Sequence, residues 1–432
     1  MKSRQTFREL RPFLILWSTQ SLSQLGSAMT SFALTLWLYA ETGSALQTAL
    51  LSVCSYTPYV LMSIFAGALS DRWDRKKTML ACDALAAVCT VAVLALLKTG
   101  SLRMWHLYAL NAVNGLMNTV QSPASDVAMT LLIPRKHYQR ASGLRSFSNS
   151  LITVLNPVLA TSLYALTGMD GVIAVDLATF LIAFLTLLFA IRLPEAARDS
   201  ETRQETLLQA AKSGLGYLRK NRLILYLILF LAAVNFTASA FDAALPAFVL
   251  SRTGGSEAML GIVTSCAGVA TMVGSLIVTL LKKPKDRVRV IVMTMLISLG
   301  TENFIVSLTD SPALWCLAQV VGWLLVPVMN ANLDVVMRSS VPVEMQGRVY
   351  SCRNTLQFFT IPLGMFVSGA AVDSVFEPLM AGRETGLLPA LFGTGKGSGA
   401  AIVIFLLGIL GVAVCLIFGV ILRKYRFEDD LT

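Results

Sequence analysis

The feature that most limits what this chain can become is its rhythm: apolar runs of roughly 20 residues, almost free of charge, separated by short segments rich in Lys and Arg. About 20 apolar residues is what a helix needs to cross a bilayer. The runs fall at 13-39, 45-68, 78-98, 103-127, 145-167, 171-193, 223-249, 256-281, 287-308, 312-336, 352-376 and 400-422. Composition closes the alternative of a soluble domain. With 432 residues, 55% of them hydrophobic and 14% charged, and a mean hydropathy of +0.67, no single core could hide so much apolar surface. The expected fold class is an all-α integral membrane protein with twelve transmembrane helices. An even number of spans places both termini on one side.

The basic residues choose that side. With the N-terminus in the cytoplasm, all but five of the 35 Lys and Arg residues lie in inner segments; the five are Lys98, Arg103, Arg252, Arg383 and Lys396. This is the bias that orients multi-spanning proteins with both ends inside, in a cell membrane. The net charge of +10 is therefore a topology signal, spread over many short loops, and no nucleic acid partner is expected. The seven cysteines lie in or beside apolar runs and form no C-x-x-C, so neither a disulfide framework nor a zinc site is indicated.

Sliding the chain against itself by 208 residues superposes Asp126, Val127, Met129, Pro134, Arg140 and Arg145 on Asp334, Val335, Met337, Pro342, Arg348 and Arg353. A duplicated six-span unit is implied, the construction of many secondary transporters, with a substrate path between the repeats. The expected division is a half at 1-193, a cytoplasmic linker with an amphipathic helix at 194-222, and a half at 223-432.

Between the second and third spans stands Gly67 to Lys77, GALSDRWDRKK. This loop resembles the signature of the major facilitator superfamily, close to G-x-L-x-D-R-x-G-R-K, at Gly67, Leu69, Asp71, Arg72, Arg75 and Lys76, with Asp74 in place of a glycine. The D-R-W-D-R form is similar to the macrolide-efflux branch. The resemblance implies two pseudo-symmetric six-helix halves that alternate access to a central path lined by helices 1, 4, 7 and 10. It also implies a gate in which Asp126, at the end of helix 4, joins Asp71 and Arg75 and steadies the outward-open state. The repeat extends gate roles to Asp334, Arg140 and Arg348. Two features depart from proton antiporters of this superfamily: Asn156-Pro157 stands where Gly-Pro is common, and the fourth span carries asparagines where an arginine is common.

Polar side chains inside hydrocarbon are costly and normally face protein or water, so their positions sketch a cavity. Gln20 and Gln24 share a face of the first span, continued by Ser27 and Ser31. Asn111, Asn114, Asn118 and Gln121 form a stripe on the fourth. Asn149, Asn235 and Gln357 add further amides. Each is a candidate for substrate contact, with interhelical hydrogen bonding as the competing reading.

Two acids lie deep: Asp242 in the seventh span and Glu302 in the ninth. A carboxyl withdrawn from water can load and release a proton near neutral pH. Asp242 is the favoured coupling residue, because the resemblance puts its helix on the path, and Glu302 the second candidate; both have a structural alternative. Asp83 and Asp176 lie nearer the membrane faces, with structural and catalytic roles equally open.

No enzyme site emerges. His106 and His137 lie on opposite faces, and no G-x-x-x-x-G-K-[ST] loop occurs, which argues against ATP-driven transport. The expected function is proton-coupled secondary efflux of amphipathic, macrolide-like small molecules. A siderophore or lysolipid substrate is the alternative within the same fold, and a non-transporting receptor or assembly protein the alternative outside it. No cofactor or metal is expected; the partners are the lipid bilayer, protons and a small-molecule substrate, with the chain acting as a monomer.

Overall fold

A computed structural model describes residues 2–72, 74–134, 138–191, 193, 207–281 and 284–425. Helices account for every transmembrane run, and no strand occurs among the described residues. In lipid each backbone N–H and C=O must be satisfied within its own segment, and the α-helix does this locally. We label the spans α1 (Lys2–Thr42), α2 (Ala45–Arg72), α3 (Arg75–Lys98) and α4 (Met104–Leu131). Next come α5 and α6, one continuous stretch, Tyr138–Leu185, divided at Gly168, whose φ of 67° and ψ of −165° leave the helical region. A side chain at that φ would be strained, so the hairpin turns on glycine. The remaining spans are α7 (Arg222–Arg252), α8 (Glu257–Leu280), α9 (Arg287–Ser307), α10 (Pro312–Leu324 continuing as Val326–Ser340), α11 (Val343–Phe358 continuing as Thr360–Ala371) and α12 (Ser398–Leu422).

Helix starts follow local capping chemistry. Asp74 accepts the Lys77 N–H at 2.8 Å, Asp286 the Arg289 N–H at 2.9 Å, and Ser256 the Met259 N–H at 3.3 Å. Each such cap contributes about 1 kcal/mol. Asp74 thus has a job where the signature pattern has glycine: it begins α3.

The protein is apolar outside as well as inside. Leu166 and Leu280 are each 83% exposed, the arrangement for helices bathed in lipid. Among the described residues, eight helical segments are long and apolar enough to cross a membrane by themselves.

Contacts divide the chain into two units: Met1–Trp37 with Cys54–Glu205, and Leu38–Val53 with Thr206–Thr432. In the first, Phe13, Leu16, Met79, Ala128 and Leu187 form a core, and Lys76 donates to the carbonyls of Leu188 and Ile191 at 2.9 and 2.7 Å. Gly115 lets α4 touch α2, since a Cβ there would lie 2.0 Å from the Ser55 carbonyl oxygen. The second unit has a larger core running from Leu218 through Phe230, Met295 and Val336 to Leu422. Gly274 brings α8 onto α10, where a Cβ would lie 2.2 Å from the Leu324 oxygen. The linker helix, Leu207–Lys220, docks on this unit. Leu218 is buried in its core and the Tyr217 hydroxyl donates to the Ser340 carbonyl at 2.7 Å.

The turn between α1 and α2 belongs to the second unit. The Asp373 carboxylate accepts the N–H of Ala45 at 3.0 Å and of Leu46 at 2.8 Å, as well as the Ser44 hydroxyl. Tyr39 donates to the Ala247 carbonyl at 3.1 Å. Asp373 can reach this helix start because the end of α11 widens into a π-turn, Val372–Phe376.

Candidate functional site

The signature loop is described only in part. The side chains of Gly67, Asp71, Arg72, Asp126, Arg140 and Arg348 lie outside the described residues, so the expected Asp71–Arg75–Asp126 cluster does too. Arg75 is half-buried and Asp334 exposed.

In the second unit, residues singled out by the repeat meet in one line. Asp334 on α10 acts electrostatically on Arg353 of α11. Arg353 Nε donates to Gln357 Oε1 at 3.0 Å, and Asn235 of α7 donates to the Gln357 carbonyl at 3.2 Å. Gly364 makes the junction tight, with a Cβ position 2.4 Å from the Phe236 oxygen. Gln357 is thus buried and engaged, a joint between helices with its polar groups turned inward.

About two turns along α7 from Asn235 lies Asp242. Every other residue in 230–250 is buried or half-buried, and Asp242 alone is exposed. It is open to water-sized space although protein crowds around it, as in a recess. Among the described residues it has no hydrogen-bond partner, and its electrostatic neighbour is Glu302 of α9.

Glu302 is 5% exposed, and its Oε1 is buried with no partner. Its carboxyl is seated by a missing side chain. A Cβ on Gly322 of α10 would lie 2.1 Å from Oε2 and 2.4 Å from Cδ, so only glycine leaves the room. Ser298 fixes the same backbone by donating to the Gly322 carbonyl at 2.6 Å, and the Trp323 side chain lies beside Glu302. Sequence reasoning found the acid but missed Gly322, which carries no local signal in a membrane helix where glycines are common.

The first unit treats its acids differently. Asp83 of α3 accepts from Gln121 of α4 at 2.5 Å and from Gln20 of α1 at 3.4 Å. Asp176 of α6 accepts from the Ser27 hydroxyl at 3.0 Å and is 4% exposed; Gly26 permits the contact, its Cβ position lying 2.4 Å from Thr179 Oγ1. The expected stripes therefore divide. On α1, Gln24, Ser27 and Ser31 are exposed while Gln20 turns inward to Asp83. On α4, Asn118 is exposed and Asn114 half-buried with an unpartnered Oδ1, but Asn111 donates back to its own helix at the Leu107 carbonyl, 3.0 Å. Asn149 is exposed.

Two further cavities are structural in character. One of about 530 Å³ is lined by Gly43, Ser44, Asp373, Glu377 and Lys396. Its carboxylates are spent on helix starts: Asp373 on α2, and Glu377 on α12 through the N–H groups of Gly397 at 2.9 Å and Ala400 at 3.3 Å. The other, about 410 Å³, lies among α1, α5 and α6 and is lined chiefly by Leu22, Leu25, Met29, Leu163 and Val175. Among the described residues no cluster of His, Cys, Asp and Glu could hold a metal ion.

Comparison with known proteins agrees with this architecture. Macrolide efflux protein A of Streptococcus pyogenes is 22% identical over 366 residues, covering 84% of this chain and 90% of that protein. The multidrug efflux pump Tap of Mycolicibacterium fortuitum is 22% identical over 373 residues, covering 84% and 90%. Among solved structures, the nucleoside transporter NupG superposes with a TM-score of 0.72 at 11% identity, covering 95% of this chain and 99% of that one. A bacterial homologue of the iron transporter ferroportin, in an inward-facing state, superposes with a TM-score of 0.70 at 14% identity, covering 97% and 99%. The family model for the Major Facilitator Superfamily matches residues 16–365. The chain is a multi-pass membrane transporter of the Major Facilitator Superfamily, built on that family's twelve-helix fold, and not an enzyme.

Proposed function

We propose that this transporter exports amphipathic, macrolide-like small molecules in exchange for protons, with Asp242 as the coupling residue and both termini in the cytoplasm. The observation that carries the reading is the environment of Asp242: the one exposed side chain in 230–250 of α7, without a hydrogen-bond partner among the described residues. A group so placed can exchange a proton with water and can also meet a cationic or hydroxyl-rich substrate. Glu302, seated behind it with a free oxygen, serves as the second proton site.

The substrate class draws support from the efflux proteins named above and from the neutral polar surface of Gln24, Ser27, Ser31 and Asn118. Amides and hydroxyls recognise esters, sugars and amines without demanding a fixed charge. Asp334, with Arg353 and Gln357, acts as the second-half gate, and Asp71, Arg75 and Asp126 as the first.

The test is drug accumulation in cells carrying this chain. The reading expects lowered macrolide accumulation that returns to the empty-vector level when an ionophore collapses the proton gradient, and equally in Asp242→Asn. Export that survives both treatments would contradict proton coupling through this residue.

A further inference from the structure

Positive charge that the sequence spreads over separate segments is gathered by the fold of the second unit at one membrane face. The linker helix ends in Arg219 and Lys220, and α7 starts two residues later at Arg222. The end of α12 arrives beside them. Its Phe418 ring lies 5.7 Å from that of Phe230 on α7, and the Tyr425 ring lies 5.8 Å from Tyr226, so α12 runs antiparallel to α7 and ends where α7 begins. Leu218 and Leu422 are buried in the same core and pin both ends to it. Past Leu422 the chain keeps a helical turn: the Arg423 N–H donates to the Gly419 carbonyl at 3.3 Å and the Lys424 N–H to the Ile421 carbonyl at 3.4 Å.

Arg219, Lys220, Arg222, Arg423 and Lys424 are all exposed, and none forms an ion pair among the described residues. The nearby sequence offers them no acid, for Asp and Glu are absent from 206–241 and from 385–427. Next to these cations the surface is apolar. Leu416, Ile417 and Val420 share one face of α12 and are 56%, 57% and 64% exposed. Lys424, four residues beyond Val420 and eight beyond Leu416, stands at the head of that stripe.

We propose that this junction binds an anionic phospholipid, its phosphate shared between the end of α12 and the end of the linker helix, its acyl chain laid along the α12 stripe. Guanidinium forks and ammonium groups are the side chains that hold phosphate, and unpaired cations at the end of a span attract negatively charged lipid. A free phosphate would satisfy the cations and leave the stripe unused; a neutral lipid would do the reverse. Only an anionic lipid answers both. Bound there, it ties the linker helix to the last span through charge.

The experiment counts lipids on the purified full-length protein by native mass spectrometry as dioleoyl phosphatidylglycerol or dioleoyl phosphatidylcholine is titrated in. The full chain retains Glu428, Asp429 and Asp430, which compete for the same cations. The expected result is binding of phosphatidylglycerol in preference to phosphatidylcholine, weakened roughly five-fold for each cation removed in Arg423→Gln and in Arg423→Gln with Arg222→Gln. Arg383→Gln with Lys396→Gln takes the same charge from exposed positions at the opposite end of α12 and should leave the affinity unchanged. Every substituted side chain is exposed, and a thermal melt in detergent checks that each variant is folded. Equal binding of the two lipids, or an equal loss in the Arg383 and Lys396 variant, would overturn the site. Glycerol 3-phosphate, the headgroup without its chains, binding as tightly as the lipid would overturn the lipid in favour of a plain anion.

Discussion

Asp83 and Asp176 of the first unit and Asp242 and Glu302 of the second are held in opposite ways. In the first, Asp83 is clamped by Gln20 and Gln121, and Asp176 by Ser27, so each carboxylate has donors from neighbouring helices. In the second, Asp242 has no hydrogen-bond partner among the described residues and Glu302 keeps one oxygen unpartnered. A carboxylate with donors supplied on two sides is held in one place and one state; it ties helices together. A carboxyl without them is free to trade its proton. The same residue type therefore serves structure in one unit and, in our reading, coupling in the other, and what separates the roles is the supply of amides and hydroxyls around it.

This contrast can be broken experimentally, beginning where the effect should be greatest. Asp242→Asn is expected to reduce proton-driven accumulation of substrate in vesicles to background while leaving expression and thermal unfolding unchanged, since no hydrogen bond is lost. Gly322→Ala should damage both stability and transport. The added methyl must displace Glu302, at a cost of about 1–3 kcal/mol for overpacking, and a thermal melt would read it. Removing the obstructed carboxyl in Gly322→Ala with Glu302→Ala should recover much of the lost stability, a non-additivity that a double-mutant cycle detects.

For the first unit the order of effects reverses. Asp83→Ala leaves Gln20 and Gln121 without their acceptor and should destabilise by about 1–3 kcal/mol. Asp83→Asn, which keeps an oxygen in place, should melt close to wild type and still transport. The smallest change is at the signature loop: Asp74→Ala removes the cap of α3 and should cost about 0.5–2 kcal/mol in stability, with the transport rate per folded molecule intact.

What could be read in advance followed from the scale of the signal. Span positions were legible because twenty apolar residues in lipid leave the backbone no alternative to a helix, and even the break at Gly168 falls between two predicted spans. Side-chain roles were less legible wherever they depend on a neighbouring helix. Gln20 shares a helical face with Gln24, yet the proximity of Asp83 draws one inward and leaves the other exposed. Asn111 belongs to the same stripe as Asn118, but its amide finds a carbonyl on its own helix. Gly322 gains its meaning only from Glu302 across the α9–α10 contact, which no spacing in the sequence reveals. Asp74 departs from the signature pattern because it caps α3, a role that depends on where the first turn of the helix begins.

The most direct test of the contrast follows proton release with a pH-sensitive dye in inverted vesicles as macrolides are added, comparing Asp242→Asn with Asp83→Asn at equal protein. The account predicts substrate-dependent proton release that is lost in Asp242→Asn and retained in Asp83→Asn. Loss in Asp83→Asn with retention in Asp242→Asn would place coupling in the unit whose acids are clamped, and would contradict it.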